Sequence, residues 1–262
     1  MAVKAKKALG QHFLNDLNIA KRIADTIETG QLPESARQWG EIPVLEVGPG
    51  MGVLSQYIIK NGRIVRAVEL DSESVEFLNR VFPDLDVIEG DFLKMDLSDI
   101  FPAEFTLIGN YPYNISSQIF FKVLDNREKI PVVAGMLQKE VSQRICSRPG
   151  SKVYGILSVL LQVWYDCEYL FDVSPGVFSP PPKVMSGVIR LTRNSRETLD
   201  CDEKLFKTIV KTAFGQRRKT LKNSLNGLIP ADNEIMWEPI MGQRPERLSV
   251  EDFIKLTKAA QK

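Results

Sequence analysis

The chain has 262 residues, 44% hydrophobic and 26% charged, with 34 Lys and Arg against 33 Asp and Glu. That length holds one large domain or a large and a small one, and the composition is that of a soluble globular protein. No apolar run reaches the roughly 20 residues of a membrane span, and the basic start (residues 1–7) lacks the apolar stretch of a secretory signal. A single histidine, His12, all but excludes His-based triads and His-rich metal sites, and Cys146, Cys167 and Cys201 match neither a disulfide framework nor a zinc spacing. No metal is expected, and the compartment is expected to be the cytoplasm.

Residues 43–47 read as a strand, followed by the turn Gly48-Pro49-Gly50-Met51-Gly52 and a helix over 53–60. Residues 64–69 form a second strand, with Asp71 or Ser72 capping a helix that runs to Phe82. Third, fourth and fifth strands are expected at 85–88, 105–108 and 132–137, with helices at 115–124 and 139–146. This alternation predicts right-handed βαβ units and a parallel, doubly wound α/β sheet. A helix at 154–163 and strands at 164–173 and 184–191 follow, the strands separated by a stiff loop with three consecutive prolines, Pro180 to Pro182. From about Leu199 the pattern turns helical, at 204–214, 219–228, 233–237 and 250–260, and a domain boundary is expected near 193–200.

Charge is segregated, although it nearly cancels. Lys211, Arg217, Arg218, Lys219 and Lys222 fall in twelve residues without one acidic side chain. Such a segment is either a solvated face or a phosphate-binding one. Lys4, Lys6 and Lys7 form a smaller basic cluster. Trp39, Trp164 and Trp237 read as core or docking residues rather than base-stackers.

The chemistry gathers at strand ends, where open α/β sheets bind ligands. Gly48-x-Gly50-x-Gly52 lets the backbone approach a nucleotide-like ligand, and Glu69, at the end of the second strand, suits both hydroxyls of a ribose. A dinucleotide fingerprint would need glycine where Val53 stands. The spacing therefore favours a cofactor without pyrophosphate, such as S-adenosylmethionine. Asp91 can accept from an adenine amine, with Phe92 against the ring. Asn110-Tyr111-Pro112-Tyr113, after the fourth strand, reads either as a tight turn or as a grip on the exocyclic amine of a base. Asn110 offers an acceptor, Pro112 holds the backbone, and Tyr113 can stack.

These pieces, together with Leu9-Gly10-Gln11-His12-Phe13-Leu14, Val177-Phe178-x-Pro180-x-Pro182-Lys183, the 214–225 segment and Arg244-Pro245-Glu246, closely resemble the ribosomal RNA adenine N6-dimethyltransferases. The resemblance spans nearly the whole chain and is strongest to the enzymes acting on two adjacent adenosines near the 3′ end of small-subunit rRNA. It implies a Rossmann-like class I methyltransferase domain (1–195) and a small all-α RNA-binding domain (196–262). It also implies an S-adenosylmethionine site of His12, Leu14, Gly48, Gly50, Glu69, Asp91 and Asn110. His12 and Tyr111 stand where Asn and Leu are frequent in the family.

The expected chemistry places the Asn110 side-chain carbonyl and the Pro112 backbone carbonyl on the two N–H bonds of the target amine. Tyr113 and Phe178 would sandwich the extruded base. Lys211, Arg217, Arg218, Lys219 and Lys222 would contact RNA of the immature small (30S) subunit, with the enzyme acting as a monomer. Rival readings are a large-subunit rRNA methyltransferase of the antibiotic-resistance type and a non-catalytic checkpoint factor of subunit assembly.

Overall fold

The computed structural model describes residues 3–261. Met1, Ala2 and Lys262, which belong to the expected basic start and domains, lie outside the described residues. In chain order come β1 (Phe13–Leu14), α1 (Leu17–Asp25), β2 (Val44–Val47), α2 (Ser55–Lys60), β3 (Val65–Glu69), α3 (Ser72–Val81), β4 (Asp86–Glu89) and α4 (Leu97–Ile100). There follow β5 (Thr106–Asn110), α5 (Ser116–Asp125), β6 (Val132–Gln138), α6 (Lys139–Cys146), α7 (Ile156–Gln162), β7 (Tyr165–Val173), β8 (Phe178–Ser179) and β9 (Ser186–Arg193). The helices α8 (Glu203–Gly215), α9 (Leu221–Ser224) and α10 (Val250–Ala260) complete the chain.

Seven strands form one sheet in the order β4-β3-β2-β5-β6-β9-β7. The pairs β2–β3, β2–β5, β3–β4 and β5–β6 are parallel, and β9 runs antiparallel to β6. The expected α/β sheet is therefore present, with β9 reversed against β6. β5 and β6 are buried along almost their whole length, which explains why they read as unbroken apolar runs rather than as alternation. Strand order reverses at β2, between β3 and β5. The crevice of a doubly wound sheet opens there, beyond the carboxyl ends of the strands.

Helix α1, which is not among the expected elements, brings Ile23 to this region. Asp16 caps it, accepting from the backbone N–H groups of Asn18 (2.9 Å) and Ile19 (3.1 Å), and Ala20, Ile23 and Ala24 are wholly buried in the core. Asp71, an expected cap for α3, makes no such bond. Its carboxylate turns instead to Lys6, to Gln11 (3.3 Å) and to Ser74 (2.9 Å). The Pro-rich loop carries the two-residue strand β8, which pairs antiparallel with β1 through Leu14 and Phe178.

The chain divides into two compact units, 1–142 with 166–193 and 143–165 with 194–262. The expected boundary near 193–200 is thus joined by a second crossing, which assigns residues 143–165 to the helical unit. Bonds to the later residues explain it, the Gly150 N–H donating to the Glu246 carbonyl (2.6 Å) and Arg217 to the Lys152 carbonyl (2.6 Å), and the segment is also bonded within itself. Gln162 of α7 donates to the carbonyls of Ile145 (2.7 Å) and Ser147 (2.8 Å), and the hydroxyl of Ser158 donates to the Arg144 carbonyl. α7 is apolar nearly all round, with Leu157 to Leu161 buried, as a helix enclosed within a bundle must be. In the same unit Phe214 packs against Tyr154 (6.0 Å) and Phe253 (5.8 Å). Trp39 and Trp164 are buried, but Trp237 is 77% exposed and no core residue.

Candidate active site

A cavity of about 330 Å³ lies at the carboxyl ends of β2, β3, β4 and β5. Its lining includes His12, Leu14, Gly48, Gly50, Glu69, Asp91 and Asn110, every residue expected at a cofactor, and also Pro112 and Tyr113. Gly48, Gly50 and Gly52 adopt φ of 68°, 56° and 73°, a region that side chains rarely enter. A Cβ at Gly50 would come within 2.9 Å of the Phe13 ring. The glycines are thus required both by backbone conformation and by the closeness of the segment opposite.

Glu69 is buried at the end of β3. One of its oxygens accepts from the Gly50 N–H (3.0 Å) and the other from those of Leu70 and Asp71 (both 2.9 Å). Burial raises its pKa above the ordinary value against the opposing pull of these three amides. A carboxylate offers about four lone-pair sites. Three are occupied by backbone amides, and the carboxylate keeps capacity to accept from a ligand hydroxyl. Asp91 accepts from the Leu93 N–H (3.0 Å), a local turn bond that holds it at the cavity edge.

Glu46 of β2, which is not among the expected site residues, also lines the cavity. It is fully buried, accepts from the Ser55 hydroxyl at 2.6 Å, and its pKa is pushed up to about 7 by burial, with the Glu69 charge adding to the effect. Its position beside the glycine turn was the available signal.

Residues 9–14 form a strap along the cavity. Lys6 ties its start to the buried Asp71 and to Glu73 (3.0 Å). Burial works against the Asp71 carboxylate, but hydrogen bonds from Lys6, Ser74 and Gln11 hold its pKa below the ordinary value. His12 makes three contacts. Its Nδ1 lies 2.7 Å from the Pro180 carbonyl oxygen, its ring stacks on Tyr113 at 5.6 Å, and its own carbonyl accepts from Asn110 Nδ2 at 3.0 Å. A carbonyl only accepts, so Nδ1 carries the hydrogen.

That last bond fixes the Asn110 amide, committing its nitrogen to the strap and leaving Oδ1 as an acceptor. The Pro112 carbonyl accepts from the Ile115 N–H (3.2 Å) in the turn that starts α5, which leaves one lone pair for a ligand. Tyr113 is anchored by its hydroxyl, 2.5 Å from that of the buried Ser186. Tyr111 points the other way. It is 1% exposed, donates to the Ala134 carbonyl (2.8 Å) and meets Phe120 edge-on (5.8 Å), so it is a core residue beneath the loop and not a stacking surface.

Phe178 is outside the cavity lining. It is 4% exposed and packed in the hydrophobic core with Leu14 and Val188, so the expected aromatic sandwich is absent from this structure, and the ring facing Tyr113 is His12. Of the basic segment, Lys211 lies in α8, Arg217, Arg218 and Lys219 in the turn after it, and Lys222 in α9. The expected helix over 219–228 is a single turn. Arg217 donates to the Lys152 carbonyl (2.6 Å) and approaches Glu246 (3.7 Å). Arg218, Lys219 and Lys222 are exposed. Among the described residues no cluster of His, Cys, Asp or Glu is placed to hold a metal ion.

A glycine cradle, carboxylates at the ends of three adjacent strands and apolar walls fit a cationic nucleoside ligand, which is the chemistry of S-adenosylmethionine. Strand order and site together define a class I S-adenosylmethionine-dependent methyltransferase. Among solved structures, a dimethyladenosine transferase from Plasmodium falciparum superposes with a TM-score of 0.75 over 94% of this chain and 96% of that one, at 23% identity. The 23S rRNA methyltransferase ErmE superposes at 0.64 over 94% and 99%, at 25% identity.

Sequence relatives are nearer. A protein named ribosomal RNA small subunit methyltransferase A from Parabacteroides distasonis is 60% identical, covering 99% of this chain and 95% of its own. One of the same name from Bacteroides thetaiotaomicron is 57% identical over 97% and 93%. The ribosomal RNA adenine dimethylase family model matches residues 2–262. The chain belongs to that family.

Proposed function

We propose that this protein transfers methyl groups from S-adenosylmethionine to the N6 amines of two adjacent adenosines near the 3′ end of small-subunit (16S) rRNA. The product is N6,N6-dimethyladenosine, made on an immature 30S particle in the cytoplasm by a monomeric enzyme. The observation that carries this reading is the Asn110 amide, held by the His12 carbonyl so that its oxygen remains an acceptor beside the cavity. The names of the relatives at 56–60% identity favour the small subunit over the large.

When bound, the cofactor supplies an electrophilic methyl group on a sulfonium, whose loss leaves a neutral thioether. The protein supplies orientation and charge. An adenine amine is a weak nucleophile because its lone pair is delocalised into the ring. Asn110 Oδ1 and the open lone pair of the Pro112 carbonyl accept its N–H bonds, favouring a tetrahedral nitrogen and stabilising the positive charge that develops there. Tyr113 offers the base a stacking face, kept in place by Ser186. A base inserted between Tyr113 and His12 needs the imidazole to shift, since 5.6 Å between centroids leaves no room for a third ring. Gly48, Gly50, Glu69, Asp91 and the strap from His12 to Leu14 hold the cofactor, and Arg218, Lys219 and Lys222, with Lys211 and Arg217, contact phosphates.

The test is transfer of labelled methyl groups to undermethylated small subunits, followed by nucleoside analysis. N6,N6-dimethyladenosine is the expected product. Its absence, or primer-extension stops on large-subunit rRNA instead, overturns the reading.

A further inference from the structure

The second unit presents one large side chain to solvent in a way its surroundings do not require. Trp237 ends a short 3-10 turn (Glu234–Trp237) and is 77% exposed, whereas Ile235 and Met236 of the same turn are 4% and 8% exposed. The turn is held firmly. The Asn233 side chain accepts from the Ile235 N–H (3.1 Å) and donates to the Ala259 carbonyl (2.9 Å), and Glu238 is paired with Lys255. The indole is therefore displayed by an anchored turn, although it is a side chain with far more to gain from burial than the residues before it.

Over one face of the ring lies the Lys222 ammonium, 5.0 Å from the indole centroid. Lys222 belongs to α9, fixed by the buried Leu221, whose N–H donates to the Gln243 carbonyl (2.9 Å). Lys222 continues the exposed basic run of Arg218 and Lys219. A largely exposed ring with a cation on one face and further cations nearby is an arrangement that binds unpaired nucleotides, the open ring surface stacking on a base and the cations meeting phosphates. A ligand of neutral or positive charge would gain nothing from the lysine.

We infer that Trp237 and Lys222 form a subsite for an unpaired nucleotide of the substrate rRNA, made of residues other than those that grip the target amine. The subsite rests on the proposed function but is tested apart from it. Binding of full-length protein to undermethylated small subunits, and to protein-free small-subunit rRNA, is measured over a range of salt, with methyl transfer by the unaltered protein as a separate readout. Trp237→Ala weakens binding by roughly 5- to 100-fold without changing the salt slope, and Trp237→Phe stays within about threefold of the unaltered protein. Lys222→Gln lowers the slope of log K against log salt by about one.

Unchanged affinity in Trp237→Ala, or equal loss in Trp237→Phe, overturns the subsite. A loss seen on whole subunits but not on protein-free rRNA also overturns it, assigning the patch to a ribosomal protein. Absence of methyl transfer by the unaltered protein counts instead against the function. At 77% exposure the variants are expected to melt with the parent.

Discussion

Asn110 and His12, 98 residues apart in sequence, meet through one hydrogen bond, the Asn110 Nδ2 donating to the His12 carbonyl at 3.0 Å. An isolated Asn at a strand end is free to turn its amide over. Here the strap removes that freedom and decides which atom faces a substrate. Asn110→Ala is expected to lower kcat by at least about 100-fold, in the range seen when one preorganised polar group is removed from a transition state. Asn110→Asp removes the donor and sets a carboxylate against the His12 carbonyl, so it is expected to be no better than Ala despite its shape. Single-turnover methyl transfer and a cofactor titration on each variant separate chemistry from binding. Near-normal turnover in Asn110→Ala would sink the role.

The strap itself depends on Lys6, which pairs with the buried Asp71 across the entry to β3's end. Lys6→Ala is expected to raise the KM for S-adenosylmethionine several-fold while kcat changes less than about twofold, because the strap lines the cavity but the lysine does not touch the amine-gripping loop. Lys6 is partly exposed, so added salt should raise the KM of the unaltered protein toward that of the variant. Steady-state kinetics at low and high ionic strength check both statements. An unchanged KM in Lys6→Ala would leave the ion pair without a part in cofactor retention.

The sheet was legible because its central strands are buried on both faces and alternate with helices, so apolar runs and turn residues marked them. The glycine turn, Glu69, Asp91 and Asn110 were legible because strand ends are where such a sheet keeps its site. What sequence could not supply was direction. Phe178 beside a proline run reads as a stacking ring, yet it is turned into the core by its pairing with Leu14, and Tyr111, inside a polar loop, is held in the core by its bond to Ala134. The allegiance of residues 143–165 rests on contacts with residues far along the chain, the Gly150 N–H on the Glu246 carbonyl, Arg217 on the Lys152 carbonyl and the Tyr154 ring on Phe214, which leave no periodicity. Helix α1 carries a sequence signal of its own, an Asp16 cap before apolar residues at 20, 23 and 24.

Glu46 gives the fold a pH dependence. In the unfolded chain its carboxyl ionises near 4.5, whereas burial holds the proton in the folded state until about pH 7. The folded protein binds more protons between those values, so this group's contribution is full below pH 4.5 and is lost as pH rises through 7. The difference corresponds to roughly 3 kcal/mol. Glu46→Gln retains an acceptor for Ser55 and cannot ionise, so its stability relative to the parent is expected to improve from pH 4.5 to about 7 and to level off above that. Thermal or urea unfolding of both proteins without cofactor, at half-unit pH steps, measures the gap. Parallel curves would mean that Glu46 ionises normally in the fold.

Tyr111 provides a case in which fold and catalysis separate. Its hydroxyl is buried and donates to the Ala134 carbonyl at 2.8 Å, and burial raises its pKa far above the ordinary phenol value. The ring fills the space above two glycines of adjacent strands. A Cβ at Gly135 would lie 2.7 Å from it, and one at Gly109 would lie 3.1 Å away. Tyr111→Phe keeps that packing but strips the carbonyl of its partner, and it is expected to cost about 1–2 kcal/mol of stability. Tyr111→Ala opens a cavity and is expected to cost about 3–5 kcal/mol. Because Tyr111 lies beneath the loop and does not grip the amine, Tyr111→Phe should retain kcat within about threefold at a temperature where it is folded. Urea melts give the stability and methyl transfer at 20 °C below the melting midpoint gives the rate. A large fall in kcat without a fall in stability would show that the hydroxyl works on the substrate rather than on the fold.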